Sequence, residues 1–271
     1  MTTSTLSVDC RDIALNAGGK RLAATVCGAG TPIVLFHSLL ADNTSFDLIK
    51  PVLAQTHQVI TLSLPGFTGS DFVGSELEVI ADHVALGLKG LNLSKKPIFL
   101  GNGYGGFIAL ITAIRHPDLA ARLVLADCGA VFSEPGRAAF RGMSAAASDK
   151  GLGAIADVAM RRLFAPAYQA LHPELIEECK KRFLAVNPET FHGACAALAA
   201  LDLRAHLKTV TVPVLVMVGE QDEATPPAMS HELSEGLPNG SLTVLPGCAH
   251  VPQLQMPDAF MAAIREFIDR S

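Results

Sequence analysis

The chain has no tryptophan and only two tyrosines in 271 residues, so its core must be built from aliphatic side chains and phenylalanine. A hydrophobic content of 49% supplies enough of them for buried strands and packed helices, which excludes a disordered chain. Long basic runs are missing too. Lys180-Lys181-Arg182 and Arg161-Arg162 are too short for a nucleic-acid footprint in a chain of net charge −5, and they read as solvated helix faces. No apolar run approaches the roughly 18 residues that a membrane span requires. The opening stretch, MTTSTLSVDCRD, lacks the basic and apolar regions of a secretory signal. A cytoplasmic protein is expected. The six cysteines (Cys10, Cys27, Cys128, Cys179, Cys195 and Cys248) form no CxxC pair and no His-spaced ligand set. In a cytoplasmic protein they read as small buried apolar residues. No metal or organic cofactor is implied. The expected partner is a small-molecule substrate, with no nucleic acid and no membrane, and the oligomeric state leaves no trace in the sequence.

Hydrophobic patterning places the elements. Ser7 to Leu15 and Arg21 to Cys27 flank Asn16-Ala17-Gly18-Gly19 and predict a hairpin. Short apolar runs follow at Pro32–Phe36, Val59–Leu62, Pro97–Leu100, Arg122–Ala126, Val212–Val218 and Ser241–Leu245. Their length and β-branched content suit parallel strands buried on both faces. Helical patterns at Leu77–Leu88, Gly106–His116 and Pro257–Ile268 alternate with them, which predicts an α/β fold around a mostly parallel sheet. From Phe132 to Leu207 the strand signal stops, and only helical stretches remain, at Gly153–Leu163, Pro173–Leu184 and Pro188–Leu201. That is too long for an ordinary crossover, so a helical cap over residues 132–207 is expected, with the core formed by 1–131 and 208–271.

The segment from Pro97 through Gly101-Asn102-Gly103-Tyr104-Gly105-Gly106 predicts a strand, a glycine-rich turn and a helix. Two chemistries use that arrangement. Gly101, Gly103 and Gly106 fit GxGxxG, with Asp127 ending the next strand where an acid could bind a ribose. Against this dinucleotide reading, about four strands precede the motif, whereas it usually opens its domain. The alternative is the nucleophile elbow G-x-S-x-G, in register except that glycine, Gly103, stands where the serine should be.

Segments on either side extend the elbow reading. Asp222 lies in a turn after the Val212–Val218 strand, and His250 lies between the last strand and the last helix. The order of elbow, acid and histidine is that of an α/β-hydrolase. Asp127 is a reserve acid, although a strand-end turn residue is its simpler reading. Upstream, Phe36-His37-Ser38-Leu39-Leu40-Ala41-Asp42 follows the third strand, and Ser63-Leu-Pro65-Gly66-Phe-Thr68-Gly69-Ser70 forms a further turn. Over nearly its whole length the chain resembles the α/β-hydrolase superfamily. The HSLLADNTSFD segment and the short cap are most similar to 3-oxoadipate enol-lactonases and nearby carbon–carbon bond hydrolases. The resemblance implies an eight-stranded, mostly parallel sheet with helices on both faces and a cap between the sixth and seventh strands. It also implies an oxyanion hole from the backbone N–H groups of Leu39 and Tyr104. The chain departs from the family at Ser38, where glycine is usual, at Ser63 and Thr68 in the architectural turn, and at Gly103.

Glycine tolerates the strained elbow conformation but carries no nucleophile, and its lack of a side chain is expected to leave a small space beside His250. One reading is an enzyme that keeps the His250–Asp222 dyad as general base, activating a water in that space or deprotonating the substrate. Hydroxynitrile lyases and cofactor-free dioxygenases are relatives whose base chemistry needs no covalent serine adduct. A second reading is a non-catalytic binding module, since N-myc downstream-regulated proteins resemble this chain in having a serine-less elbow. A laboratory inactivation would ordinarily introduce alanine instead. Ser38 is a candidate substitute nucleophile or substrate-binding residue, with a loop serine capping the backbone as its plainer role. On or near the cap, Arg137, Arg141, Arg161 and Arg162 are candidates to hold a substrate carboxylate.

Overall fold

The computed structural model describes residues 8–270, in which eight strands form one sheet. They are β1 (Cys10–Ala17), β2 (Lys20–Cys27), β3 (Thr31–Phe36), β4 (His57–Leu62), β5 (Ile98–Asn102), β6 (Arg122–Ala126), β7 (Val214–Gly219) and β8 (Gly240–Leu245). Their spatial order is β1-β2-β4-β3-β5-β6-β7-β8; β2 pairs antiparallel with both β1 and β4, and every other pairing is parallel. Between and after the strands run α1 (Lys50–Leu53), α2 (Leu77–Lys89), α3 (Tyr104–Arg115), α4 (Glu134–Lys150), α5 (Ala156–Leu163), α6 (Pro166–Leu171), α7 (Pro173–Leu184), α8 (Pro188–Ala200), α9 (Pro227–Gly236), α10 (Pro252–Gln255) and α11 (Pro257–Asp269).

The parallel strands are apolar at nearly every position because both faces of the sheet are covered. Successive residues serve opposite sides. Val34, Phe36, Ile60, Phe99, Leu123 and Leu125 pack toward α2 and α3, where Ile80, Val84, Phe107 and Leu110 meet them. Ile33, Leu35, Val59, Ile98, Leu100 and Val124 pack toward α1 and α11, against Leu53, Phe260, Ile264 and Ile268. This period of two is what lets one continuous apolar run serve two cores.

The helices α4 to α8 all lie between β6 and β7. Two of the helical stretches read from the sequence match α7 and α8 almost residue for residue. The third is split: Leu152–Ile155 is a 3-10 turn and α5 begins at Ala156. The 17-residue α4 was not singled out, because seven of its residues are alanine or glycine and apolar anchors are few; only Phe140, Met143 and Ala147 are buried. Among the described residues no helix is long and apolar enough to cross a membrane.

The hairpin forms with Gly18 and Gly19, both at positive φ, as its two-residue turn. Ser7, where the sequence reading began the first strand, lies outside the described residues. The register sets Cys10 opposite Cys27, and the two form a disulfide. This corrects the expectation of six buried apolar thiols: Cys10 is exposed and bonded, while Cys128, Cys179, Cys195 and Cys248 are free and buried. Disulfides persist in oxidising compartments, so the bond weighs against the cytoplasmic expectation. Thiol titration of the unfolded protein is expected to count four thiols before reduction and six after. Six in both states would show that the hairpin is not cross-linked.

Candidate functional site

The turn from β5 into α3 is built from contacts that only glycine permits. A Cβ on Gly105 would lie 2.1 Å from the Phe36 carbonyl oxygen at the end of β3, and one on Gly101 would lie 2.5 Å from the Gly105 oxygen. Gly103 stands at the apex with φ 54° and ψ −121°, a conformation that disfavours any residue with a Cβ. Its N–H donates to Ala126 O, and its carbonyl accepts from Gly106 and Phe107 as α3 begins.

His250 and Asp222 meet beside this apex. His250 Nδ1 and Asp222 Oδ2 are 2.9 Å apart, and both side chains are buried. Asp222 also accepts from the Ala224 and Thr225 N–H groups at Oδ1, and from the Thr225 hydroxyl at Oδ2. Burial alone would raise the Asp222 carboxyl, but the His250 charge and these hydrogen bonds outweigh it and hold the group below the usual carboxylate range. Asp222 therefore stays ionised as the partner of His250 Nδ1, leaving Nε2 to face Gly103. The backbone of His250 is fixed as well: its carbonyl accepts from Asn102 Nδ2 at 2.8 Å, and its N–H donates to Leu163 O at the end of α5. Gln253 completes the chain by donating to Asn102 Oδ1.

The expected space beside His250 is filled. The point a Gly103 Cβ would occupy lies 2.6 Å from His250 Nε2 and 2.7 Å from Ser38 Oγ, so the imidazole and the hydroxyl close onto the glycine from two sides. Ser38 is buried, and among the described residues its hydroxyl caps no backbone group; it lines the cavity instead. The loop carrying it is held by His37, whose Nδ1–H donates to Ser38 O while Nε2 accepts the Leu64 N–H. Burial keeps that ring neutral, with its pKa lowered against the opposing effect of the Ser38 carbonyl. The N–H groups of Leu39 and Tyr104 have no hydrogen-bond acceptor among the described residues, and both residues line the same cavity as Gly103 and His250.

That cavity measures about 30 Å³, counted as space open to the centre of a water molecule. That is room enough for a water molecule. Its polar edge is Ser38, Arg162, Thr225 and His250; its apolar wall includes Phe107, Phe132, Phe140, Met143 and Leu198. Residues from α4, α5 and α8 thus roof the site.

Asp127 belongs to the same cluster, one strand before Asp222. It is the only residue besides Asn92 that is not glycine yet has positive φ among the described residues. Oδ1 accepts the Gly219 N–H at 2.9 Å and Oδ2 the Asn102 amide. Complete burial, with the Asp222 charge next to it, pushes the Asp127 carboxyl well above the usual range, against the lowering effect of Gly219. The proton shared by the two acids therefore sits on Asp127. Buried in this way, Asp127 is out of reach of a ribose, which removes the ground for the dinucleotide reading. Asp127, Asp222 and His250 bring ligand-type atoms within 4.8 Å of one another. Those atoms are already committed to Gly219, Thr225, Ala224 and each other, so the cluster is organised for sharing protons, not for holding a cation.

Sequence reasoning missed Thr225, Asn102, Gln253 and the coupling of Asp127 to Asp222. The Asp222-x-x-Thr225 spacing of an Asx-type turn was the one signal available for Thr225.

Comparison with known proteins places the fold. A family described as "Alpha/beta hydrolase family" matches residues 33–263. The chain is 26% identical over 270 residues to 3-oxoadipate enol-lactonase 2 of Acinetobacter baylyi, covering 96% of this chain and 95% of that one. It is 31% identical over 248 residues to a pimeloyl-[acyl-carrier protein] methyl ester esterase of Neisseria meningitidis, covering 88% and 93%. Among solved structures, a thermophilic esterase from Thermogutta terrifontis superposes with a TM-score of 0.85 at 27% identity, over 95% of this chain and 98% of that one. The enol-lactonase from Burkholderia xenovorans gives 0.89 at 24% identity, over 95% and 100%, a likeness of fold.

The state of Asp127 has a measurable consequence. Its folded pKa lies above the unfolded value, so its contribution to stability is complete below that value and is lost as pH rises toward the folded one. Asp127→Asn removes this loss. The variant's stability relative to the parent is expected to rise as pH increases above about 4, by at most about 1.4 kcal/mol per pH unit, in denaturant melts. A difference that stays flat, or falls, as pH rises from there would place the proton elsewhere.

Proposed function

Because the chain belongs to the alpha/beta hydrolase family, we propose that it hydrolyses small esters, lactones or related carbonyl compounds with the His250–Asp222 pair as general base and no serine at the elbow. The observation that carries this reading is the position of His250 Nε2, 2.6 Å from the point where an elbow side chain would begin. The base is retained, oriented and aimed at the apex, while the apex itself has no nucleophile. The resemblance to an enol-lactonase and to a methyl ester esterase supports the substrate class.

The chemistry runs through water. His250 Nε2 takes a proton from a cavity water hydrogen-bonded to Ser38 Oγ, and the water oxygen forms a bond to the carbonyl carbon. The carbonyl electrons move onto oxygen, and the N–H groups of Leu39 and Tyr104 receive that charge. As the tetrahedral species collapses, the carbon–oxygen bond to the leaving group breaks and His250 returns its proton to the departing alkoxide. The products are an acid and an alcohol, or a ring-opened hydroxy acid from a lactone. Asp222 keeps its charge throughout, stabilising the imidazolium and fixing the ring. Since ligand pockets usually run to about 300–1,000 Å³, substrate entry requires the helical segment over the site to yield.

Turnover of aryl esters and small lactones is expected to fall about 10²- to 10⁴-fold in His250→Ala, the usual contribution of a general base. Turnover that survives the substitution would end the dyad reading.

The packing around Gly103 yields a second expectation. Gly103→Ser alone places its Cβ against both His250 and Ser38 in a strained conformation, at a cost of about 1–3 kcal/mol in stability, and gives little covalent ester turnover. Adding Ser38→Gly removes one of the two contacts, and burst-phase acylation is expected to be larger in the double variant than in the single one. A full burst from Gly103→Ser alone would show that the two neighbours yield freely.

A further inference from the structure

We propose that Arg162 anchors a carboxylate carried by the substrate, so that the compounds hydrolysed are esters or lactones of small acids that retain a free carboxylate. The proposal rests on the hydrolase reading above and narrows its substrate class.

Four arginines lie on or near the helical segment, and the structure separates them. Arg137 spends its guanidinium on the carbonyls of Phe132, Ala199 and Leu201. Arg141 pairs with Glu134, and Arg161 is exposed. Arg162 alone lines the cavity that contains Gly103 and His250. Among the described residues it makes no ion pair or hydrogen bond. The negative charges that face it, Asp222 and Glu223, do not satisfy it: Asp222 is committed to His250, Thr225 and Ala224, and Glu223 is exposed. Burial disfavours its charge. A largely buried guanidinium without a partner is costly to maintain.

The position of Arg162 is tied to the chemistry. Its neighbour Leu163 accepts the N–H of His250, so α5 and the histidine are registered by a 3.1 Å hydrogen bond. The guanidinium fork matches the two oxygens of a carboxylate. A phosphate dianion would need further donors: the Thr225 hydroxyl already donates to Asp222, and the Ser38 hydroxyl and the N–H groups of Leu39 and Tyr104 belong to the Gly103 apex, where the reacting carbonyl sits. A substrate carboxylate also completes the charge pattern. It pairs with Arg162, while Asp222 pairs with the imidazolium that forms on His250.

The test compares the para-nitrophenyl hemiester of succinic acid with its neutral methyl ester in the parent, Arg162→Gln and Arg162→Lys. The parent is expected to favour the charged ester by about tenfold or more in kcat/KM, and that ratio to fall at least about tenfold in Arg162→Gln. Arg162→Lys keeps the charge without the fork and is expected to fall between the two. A parent without preference, or a ratio indifferent to Arg162→Gln, overturns the proposal. Calorimetry with succinate, succinamide and inorganic phosphate supplies a readout independent of turnover. Succinate is expected to bind the parent, and about tenfold or more weakly to bind Arg162→Gln. Equal binding of succinamide, or stronger binding of phosphate, also overturns it. Succinate binding through Arg162 without turnover of either ester would instead sink the hydrolase reading and leave the anchor standing.

Discussion

The structure depends on how closely the end of β3 approaches the start of α3. With 2.1 Å between the Phe36 carbonyl oxygen and the place a Gly105 Cβ would take, the two backbones meet with no side chain between them. That contact brings the Ser38–Leu39 loop alongside the Gly103 apex, and so places two unpaired N–H groups and a hydroxyl on one small volume. The same turn sends Asn102 toward the His250 carbonyl, which draws the last loop of the chain to the fifth strand. Residues separated by well over a hundred positions are thereby held by one tight turn and one amide. Had Gly105 any side chain, the loop, the helix and the histidine could not share a site.

Much of this could be read from the sequence, for a physical reason. Buried parallel strands demand uninterrupted apolar runs, so Ile33, Val59, Phe99, Val124 and Val216 announced the sheet directly. The turn announced itself because Gly101, Gly103, Gly105 and Gly106 crowd into six residues, a density that only close backbone approach explains. The helical segment over the site was harder. In α4, three buried side chains in 17 residues leave almost no periodic signal, since that helix covers the cavity and one side of α8 and is otherwise in solvent. The disulfide was hidden for another reason: it depends on register, and register became visible only once the two-residue Gly18-Gly19 turn set Cys10 across from Cys27.

What no sequence pattern revealed is the electrostatic coupling at the base of the site. Asp127 and Asp222 are 95 positions apart in the chain but compete for one proton, and the competition is decided by their surroundings. Asp222 has three hydrogen-bond donors and an imidazole; Asp127 has complete burial and only one strong donor, Gly219. The consequence is an ionised acid under the histidine, supported by a neutral one. A neutral Asp127 adds no second negative charge beside Asp222, so the carboxylate under the histidine stays ionised.

The two departures at Ser38 and Gly103 are best understood together. In the resembling family glycine precedes the oxyanion donor and serine caps the elbow; here the hydroxyl stands on the loop and the glycine on the elbow. Each residue explains the other sterically, because a Cβ at position 103 would collide with Ser38 Oγ at 2.7 Å, and a glycine at 38 would leave the apex uncovered. The Ser38 hydroxyl and the His250 imidazole both face the Gly103 apex. The exchange preserves one oxygen, one imidazole and two free N–H groups around a common point, while removing the oxygen from the strained turn. Since the Ser38 hydroxyl makes no hydrogen bond among the described residues, its hydrogen-bonding capacity is available to whatever occupies the cavity. With Arg162 lining the same cavity, the site offers a polar contact beside the Gly103 apex and a charged one as well, which suits a small acid with two functional groups.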